Sequence, residues 1–482
     1  MLIAYVISVF TLHSIERESS IIGALYALGL KRKQLMLHYT LLPVILCLLG
    51  GVIGTCLGYS RFMLQQMAGD TYAYFSIPTV EPFHNPLLLL YGILMPPLAA
   101  FVVSWLTIRK RLNHTALSLL RKEIKTKKYS ELSLANMSFP RAFKLRQLLR
   151  EKRSCFAVLA GIFLSLLILI LGLNCYVLCH NVKINTVADT QYEYLYQMKY
   201  PENTVPEGGY EAYIEGLTKE VGYEMEISII GLTDDNPFFP AITSNRKDEI
   251  SISSSVASKY GLKEGDELIL RDKQEGTVYA FTVKETVSYS PGLCVFMDID
   301  SMRNLFGKEE DYYNAVYSDH ALGIESGRLY AVSTKADVEK SASIFLTTMT
   351  PLITILVGAS ILIFLIVLYQ MTKVMIDRSA MSISLMKVFG YRSREIQKLY
   401  LDGSFLLVAA GTLLLLPLAK WLMDTIYPSF VANIASGTDF HWSPLLYAVV
   451  YFGTILGYLV IRAALVRQLK KWTPAEILKS RE

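Results

Sequence analysis

The side chains able to do chemistry are spaced for little of it. The seven histidines are scattered over loops and the ends of apolar runs without ligand spacing, so His38 and His180 read as interfacial residues before metal ligands. Asp234-Asp235 and Glu309-Glu310-Asp311 could hold a cation, but residues 180 to 342 carry 28 acids, and a solvated acidic face accounts for them better. Of the six cysteines, Cys47, Cys56, Cys155, Cys175 and Cys179 lie in or beside apolar runs and Cys294 stands alone. They form neither a disulfide framework nor a C-x-x-C metal or redox pattern. There is no G-x-x-x-x-G-K-[ST] loop to cradle nucleotide phosphates, no H-E-x-x-H and no G-x-S-x-G. No catalytic, cofactor or metal-binding residue is assigned, and the chain is not expected to be an enzyme.

What the chain does carry is one stretch written twice. "RESSIIGALYALGLKRKQ" begins at Arg17 and "RSAMSISLMKVFGYRSRE" at Arg378, 361 residues later. Without a gap over 23 positions, Arg17 meets Arg378, Ile22 meets Ile383, Gly29 meets Gly390, and Tyr39 meets Tyr400. Lys31 and Lys33 meet Arg392 and Arg394, and Gln34 meets Glu395. So long a spacing excludes a solenoid repeat of roughly 20 to 50 residues and indicates two copies of a whole module. In each copy an apolar run meets an Arg, continues as an amphipathic segment and stops at a Gly suited to a left-handed helix C-cap. Basic residues and another apolar run follow. This predicts a short, rigid elbow tied to two spans. Basic residues alone could be a topology signal, but topology requires no Gly at the same place twice.

The elements that position these elbows are membrane helices. Mean hydropathy is +0.35 and 52% of residues are hydrophobic. Nearly charge-free runs lie at 1–12, 40–60, 86–108, 155–179, 349–371, 403–423 and 444–465, and most reach the roughly 20 residues a spanning helix requires. The expectation is a polytopic α-helical membrane protein of about seven transmembrane segments. Met1 aligns with Leu362, in the middle of the fifth run, so the first segment is expected to be incomplete, with a helix and an outer domain missing upstream. It has neither the basic start nor the cleavage site of a signal peptide.

Charge orients the spans. Residues 109 to 153 hold 14 Lys or Arg against three acids, whereas residues 180 to 342 are net −13. Short loops rich in Lys and Arg stay in the cytoplasm, which places 13–38, 109–153, 372–400 and 466–482 inside and 61–85, 180–342 and 424–443 outside. The expected domains are a first module at 1–108, a basic cytoplasmic linker at 109–153, a helix at 154–179, an extracytoplasmic α+β domain at 180–342 and a second module at 343–482. Within the linker, Phe143, Leu145, Leu148 and Leu149 among basic residues suit an amphipathic helix on the inner surface, in contact with membrane lipids. An ordinary solvated linker helix reads as well.

In the outer domain, "DELILRDKQEGTVYAFTV" alternates on both sides of Gln274-Glu275-Gly276 and predicts a β-hairpin. Strands are expected near 226–232 and 292–298, and helices over Tyr210–Val221 and Ile299–Phe306. In the second run, Gly50, Gly54 and Gly58 form a small-residue ridge that lets helices approach closely, either within the bundle or across a dimer seam.

With these residues in view, "IIGALYALGLKRKQL" and "ISLMKVFGYRSREI" resemble the cytoplasmic loop of the FtsX-like permease family, the membrane subunits of MacB-type ABC systems. "KYGLKEGDELIL" resembles those proteins' entry into an outer-domain strand, and Pro474, Glu476 and Leu478 resemble their closing element. Thr115-Ala116-Leu117 departs from that element in the first copy. The resemblance implies that the elbow residues Arg17, Gly29, Lys31, Lys33, Gln34, Arg378, Gly390, Arg392, Arg394 and Glu395 couple to a separate ABC ATPase dimer, which would bind the ATP. It implies a multi-pass protein of the bacterial cytoplasmic membrane that exports a lipid, lipoprotein or peptide, or extracts it at the outer side. An extracytoplasmic adaptor would then be a further partner, and nucleic acid would not. The alternative is a signalling complex that moves a cell-wall hydrolase or partners a sensor kinase. A secondary transporter is disfavoured, because the spans lack midplane charges and broken helices.

Overall fold

The computed structural model describes residues 2–67, 83–111, 152–200, 202, 204–220, 224–239, 247–273 and 275–471. The helices in chain order are α1 (Leu2–Arg17), α2 (Ser19–Ala27), α3 (Arg32–Gly58), α4 (Arg61–Met67), α5 (Pro86–Arg111) and α6 (Lys152–Asp189), then α7 (Ser254–Tyr260), α8 (Ile299–Leu305), α9 (Lys335–Val388), α10 (Ser393–Phe430) and α11 (Pro444–Lys471). The strands are β1 (Tyr194–Met198), β2 (Tyr210–Lys219), β3 (Met225–Leu232), β4 (Glu249–Ser253), β5 (Glu267–Arg271), β6 (Val278–Val287), β7 (Cys294–Asp298), β8 (Ala315–Ser318) and β9 (Leu329–Thr334). They form two compact units, one of residues Met1–Ile170, Thr354–Trp421 and Ser443–Glu482, the other of Leu171–Ile353 and Leu422–Trp442.

Six helices among the described residues, α3, α5, α6, α9, α10 and α11, are long and apolar enough to cross a membrane. The protein is a polytopic helical membrane protein. The 16 residues of α1 rise about 24 Å, short of roughly 30 Å of hydrocarbon. Two helices exceed their expected bounds. The sequence reading ends a helix at 179 and an outer domain at 342, yet α6 continues to Asp189 and α9 begins at Lys335. The segment "HNVKINTVAD" is polar but contains neither Gly nor Pro, so nothing in it stops a helix already under way. The expected linker helix at Phe143, Leu145, Leu148 and Leu149, the Thr115-Ala116-Leu117 departure and the closing Pro474, Glu476 and Leu478 lie outside the described residues.

In the helical unit, α1 meets α5 through hydroxyls, Ser8 with Thr107 at 3.3 Å and Thr11 with Ser104 at 3.5 Å. The close approach of α3 to α5 is made at Gly51, where a Cβ would lie 3.1 Å from the Ile93 carbonyl oxygen. From the other side, a Cβ on Gly92 would lie 2.7 Å from Thr55 Oγ1, whose hydroxyl donates to Gly51 O at 2.7 Å. Among the described residues a Cβ on Gly50, Gly54 or Gly58 meets nothing within 4 Å, so α5 packs on Gly51 and not on that ridge. One position along a helix turns the side-chain direction by about 100°, enough to give α5 to Gly51 and leave the ridge open.

The sheet unit holds the nine strands of the described residues in the order β3-β7-β4-β6-β5-β2-β8-β1-β9, and an added β2–β3 ladder closes the first six into a ring. Inside the ring Tyr213, Leu217, Ile227, Ile250, Leu268, Phe281, Val295 and their neighbours form one buried core, which takes Val256 from α7 and Met302 from α8. The hairpin of β5 and β6 pairs as the alternation predicts, Leu268 opposite Phe281 and Leu270 opposite Tyr279. The expected helix over Tyr210–Val221 is instead β2, paired antiparallel with β3 from Ala212↔Leu232 to Lys219↔Met225. Tyr213 and Leu217 enter the core at a four-residue spacing common to helices and strands, and the β3 partner decided between them. The α8 helix forms where a helix is expected, with Asp298 capping the Ser301 N–H at 2.9 Å.

The segment joining α10 to α11 belongs to this unit. Lys259 Nζ donates to the carbonyls of Ala432 and Ile434, and Thr438 Oγ1 donates to Ser258 O at 2.8 Å. Trp442 Nε1 donates to Asn174 Oδ1 at 2.8 Å, and Asn174 Nδ2 donates to Asp424 Oδ1 at 3.0 Å. Of these, the Trp442–Asn174 bond is buried, where an unmatched group would cost about 1–3 kcal/mol.

Cys294 is buried in the sheet unit and burial pushes its thiol up to about 12. Lys273, by contrast, is exposed in the hairpin turn, and Lys110 is exposed near the end of α5. Intact cells treated with a membrane-impermeant thiol reagent are expected to label Lys273→Cys and to leave Lys110→Cys and native Cys294 unlabelled. Labelling of Lys110→Cys without Lys273→Cys would reverse the assigned topology.

Candidate functional site

Each copy of the repeated stretch folds into a helix end, a two-cap turn and a new helix start. In the first, Gly29 has φ +90°. Its N–H donates to Tyr26 O and the Leu30 N–H donates to Leu25 O, both at 3.1 Å, the pair of bonds that closes a Schellman motif. In the second, Gly390 has φ +85° and the Tyr391 N–H donates to Met386 O at 3.1 Å. A left-handed residue at this place favours Gly because a Cβ would crowd the following carbonyl.

The next helix begins at once. The Lys31 N–H donates to Gln34 Oε1 at 3.1 Å, and the Arg392 N–H donates to Glu395 Oε2 at 2.9 Å. Gln34 and Glu395 thus reach back from the third helical position and satisfy a main-chain donor that the helix leaves free. Gln34 and Glu395 therefore build the turn, as Gly29 and Gly390 do.

The first elbow is fastened to its own helices. Ile22 is buried with Ile15, Leu35, Met36 and Ile108, and Leu25, Tyr26, Tyr39 and Trp105 pack against them. Tyr39 donates to Glu18 Oε2 at 2.9 Å, and Arg32 Nη2 donates to Arg109 O at 2.6 Å, tying the start of α3 to the last turn of α5. In the second elbow Ile383, the counterpart of Ile22, is likewise buried. The copies differ upstream. A break at Glu18 separates α1 from α2, whereas α9 runs unbroken through Arg378 to Val388.

The basic residues sit at helix starts. Lys31 and Lys33 flank the first residue of α3, and Arg392 and Arg394 flank that of α10, at N-termini whose dipoles favour anions. Lys31, Lys33 and Arg392 are exposed. Arg17 is the last residue of α1, and Arg378 lies within α9.

One pair escaped the sequence reading. The residue just before each cap glycine is apolar and projects into the open, Leu28 at 79% exposure and Phe389 at 77%. Leu30 and Tyr391, just after the glycines, are exposed as well. The signal was present in the alignment, where an apolar residue precedes Gly in both copies, but burial alone distinguishes a core position from a protruding one. Each elbow therefore exposes an apolar residue within a few positions of exposed basic residues, Lys31 and Lys33 in the first and Arg392 in the second, a surface suited to a protein partner with an apolar socket and an acidic rim.

The family described as FtsX-like permease C-terminal matches residues 1–116 and again residues 354–474. No curated protein matches the chain. Each matched segment contains one elbow, and the two are built on the same left-handed glycine and the same back-capping third residue. The chain belongs to the FtsX-like permease family and carries its C-terminal module twice.

Proposed function

We propose that the protein is the membrane subunit of an ABC transporter, whose two elbows dock on a separate ATPase dimer and convey its closure to the sheet domain at the outer side. The observation that carries this reading is the duplicated, exposed, doubly capped elbow, one in each family-matched module. A turn fixed at both ends passes on a push; an unfixed turn would absorb it. The path onward runs along α9, continuous from Lys335 to Val388 between the last strand and the second elbow. The cargo is a lipid, a lipoprotein or a peptide handled at the outer side. The chain itself turns over no ATP, because it has no phosphate-binding loop.

Reconstitution with the ATPase of the same system tests this. The chain alone is expected to show no turnover, and the complex is expected to hydrolyse ATP and release cargo. ATP hydrolysis by chain freed of every co-purifying ATPase would overturn the assignment. Reversing charge at Arg392→Glu with Arg394→Glu is expected to weaken the complex roughly tenfold at low salt, with the difference shrinking as salt rises, because exposed charges are screened within about 10 Å at 0.1 M. Equal affinity at all salt concentrations would remove these arginines from the interface.

A further inference from the structure

The second elbow joins two unbroken helices, α9 and α10. At its outer end α9 follows β9 without a gap, Thr334 to Lys335, so it is covalently part of the sheet. No strand adjoins the outer end of α10. That helix runs to Phe430 and turns into segment 431–442, which belongs to the sheet unit. What holds the segment is α7, the seven-residue helix that follows β4.

Lys259 of α7 makes the hold. Its half-buried ammonium donates to the carbonyls of Ala432 and Ile434, just beyond the C-terminus of α10, where the helix dipole favours a cation. Burial pushes this ammonium below the ordinary lysine range, so its acceptors matter more than they would in water. Beside it the two backbones touch. A Cβ on Gly437 would lie 3.0 Å from Ser255 Cα and 2.9 Å from Ser258 Oγ, so a side chain there would push the segment off α7. The helix in turn is fixed to the sheet. Ser253 Oγ accepts from the Val256 and Cys294 N–H groups at 3.2 and 3.3 Å, and Val256 enters the ring's core.

We propose that this contact is a latch, closed throughout the transport cycle, that makes the sheet unit follow α10 as well as α9, with Lys259 as its positioning residue. The latch rests on the transporter reading given above. Two attachments do what one cannot: a body held at a single junction can swivel about it, whereas a body held at two separate places turns when its holders shift against each other. The places are separate here, since β9 ends the strand order and α7 packs on β4, β6 and β7 of the ring. Motion at the second elbow, which lies between α9 and α10, is thereby read as a rotation of the sheet unit.

The distance between two spin labels in the reconstituted complex tests the latch. In a chain with its native cysteines changed to Ser, the labels sit at Phe83→Cys and Lys273→Cys, both exposed positions. Trapping the cognate ATPase with ATP and vanadate is expected to shift the label distance in the chain that carries no further change. Lys259→Met, and separately Gly437→Val, is expected to remove most of that shift while ATP turnover, complex formation and the label distance without nucleotide stay as they were. Should one of the two disturb the distance without nucleotide, its fold has changed and the other decides. Lys259→Arg keeps the charge and the donors and is expected to keep the shift. A full shift in the Lys259→Met and Gly437→Val chains means that α9 moves the sheet unit alone, which overturns the latch and leaves the transporter reading standing. No shift without these substitutions overturns that reading, and the latch with it.

Discussion

Gly390→Val is expected to lower cargo release per ATP hydrolysed by about five- to thirtyfold while leaving the complex assembled. The size follows from the backbone. Gly390 holds φ +85°, and a Cβ there would meet nothing within 4 Å, so the substitution is penalised by local strain and not by a clash. A β-branched residue held left-handed costs about 1–2 kcal/mol or more, and that range corresponds to a factor of about 5–30 in a two-state population. The strain is relieved by opening the Tyr391–Met386 bond that closes the turn, and an elbow with an open cap bends before it pushes. Gly29→Val is expected to act in the same direction. Gly453→Ala, a helical glycine in α11 with open space around it and an ordinary φ, serves as the control with little effect. ATP turnover and outer-side release are measured together in vesicles containing the cognate ATPase. If both valine variants release cargo per ATP as the unmodified protein does, the repeat sets topology only and the elbows transmit nothing.

Phe389→Asp combined with Leu28→Asp is expected to abolish assembly with the ATPase at concentrations where the unmodified chain binds fully. Burying one large apolar side chain contributes about 1.5–3 kcal/mol, so each knob accounts for roughly one to two orders of magnitude in affinity. Placing a carboxylate in an apolar socket opposes binding further. Since both side chains are more than three-quarters exposed, neither substitution removes a core contact, and the fold is expected to be unaffected. Binding is read by co-purification across a concentration series, with thermal unfolding of the chain alone as the folding control. The outcome separates the knobs from the cations around them. A double aspartate variant that assembles normally, beside a salt-sensitive loss in the Arg392→Glu and Arg394→Glu variant, would make the contact purely electrostatic.

Several features of the protein were legible because they are local. The apolar runs declare spanning helices through length alone. The left-handed glycines follow from the next residues in the chain, since a helix that ends at Gly29 or Gly390 and restarts three residues later has few backbone routes available. Leu268 and Leu270 alternate with exposed neighbours, and the hairpin they predict forms with that register. Helix α8 carries its own cap in Asp298.

The rest depended on partners distant in the chain. Whether Tyr210 to Lys219 became helix or strand rested on the β3 ladder, which no local periodicity could report. Gly50 and Gly51 are adjacent and chemically identical, yet only Gly51 meets α5, because a single step of about 100° around the helix decides which one faces the neighbour. Leu28 and Phe389 read as ordinary apolar residues until the packing around Ile22 and Ile383 left them outside it. The sequence by itself determined the spans, the doubled module and the caps of each elbow, since these rest on hydropathy and on backbone conformations a few residues long. Tertiary structure alone decided which glycine packs and which apolar residue protrudes, since each is a property of what stands opposite.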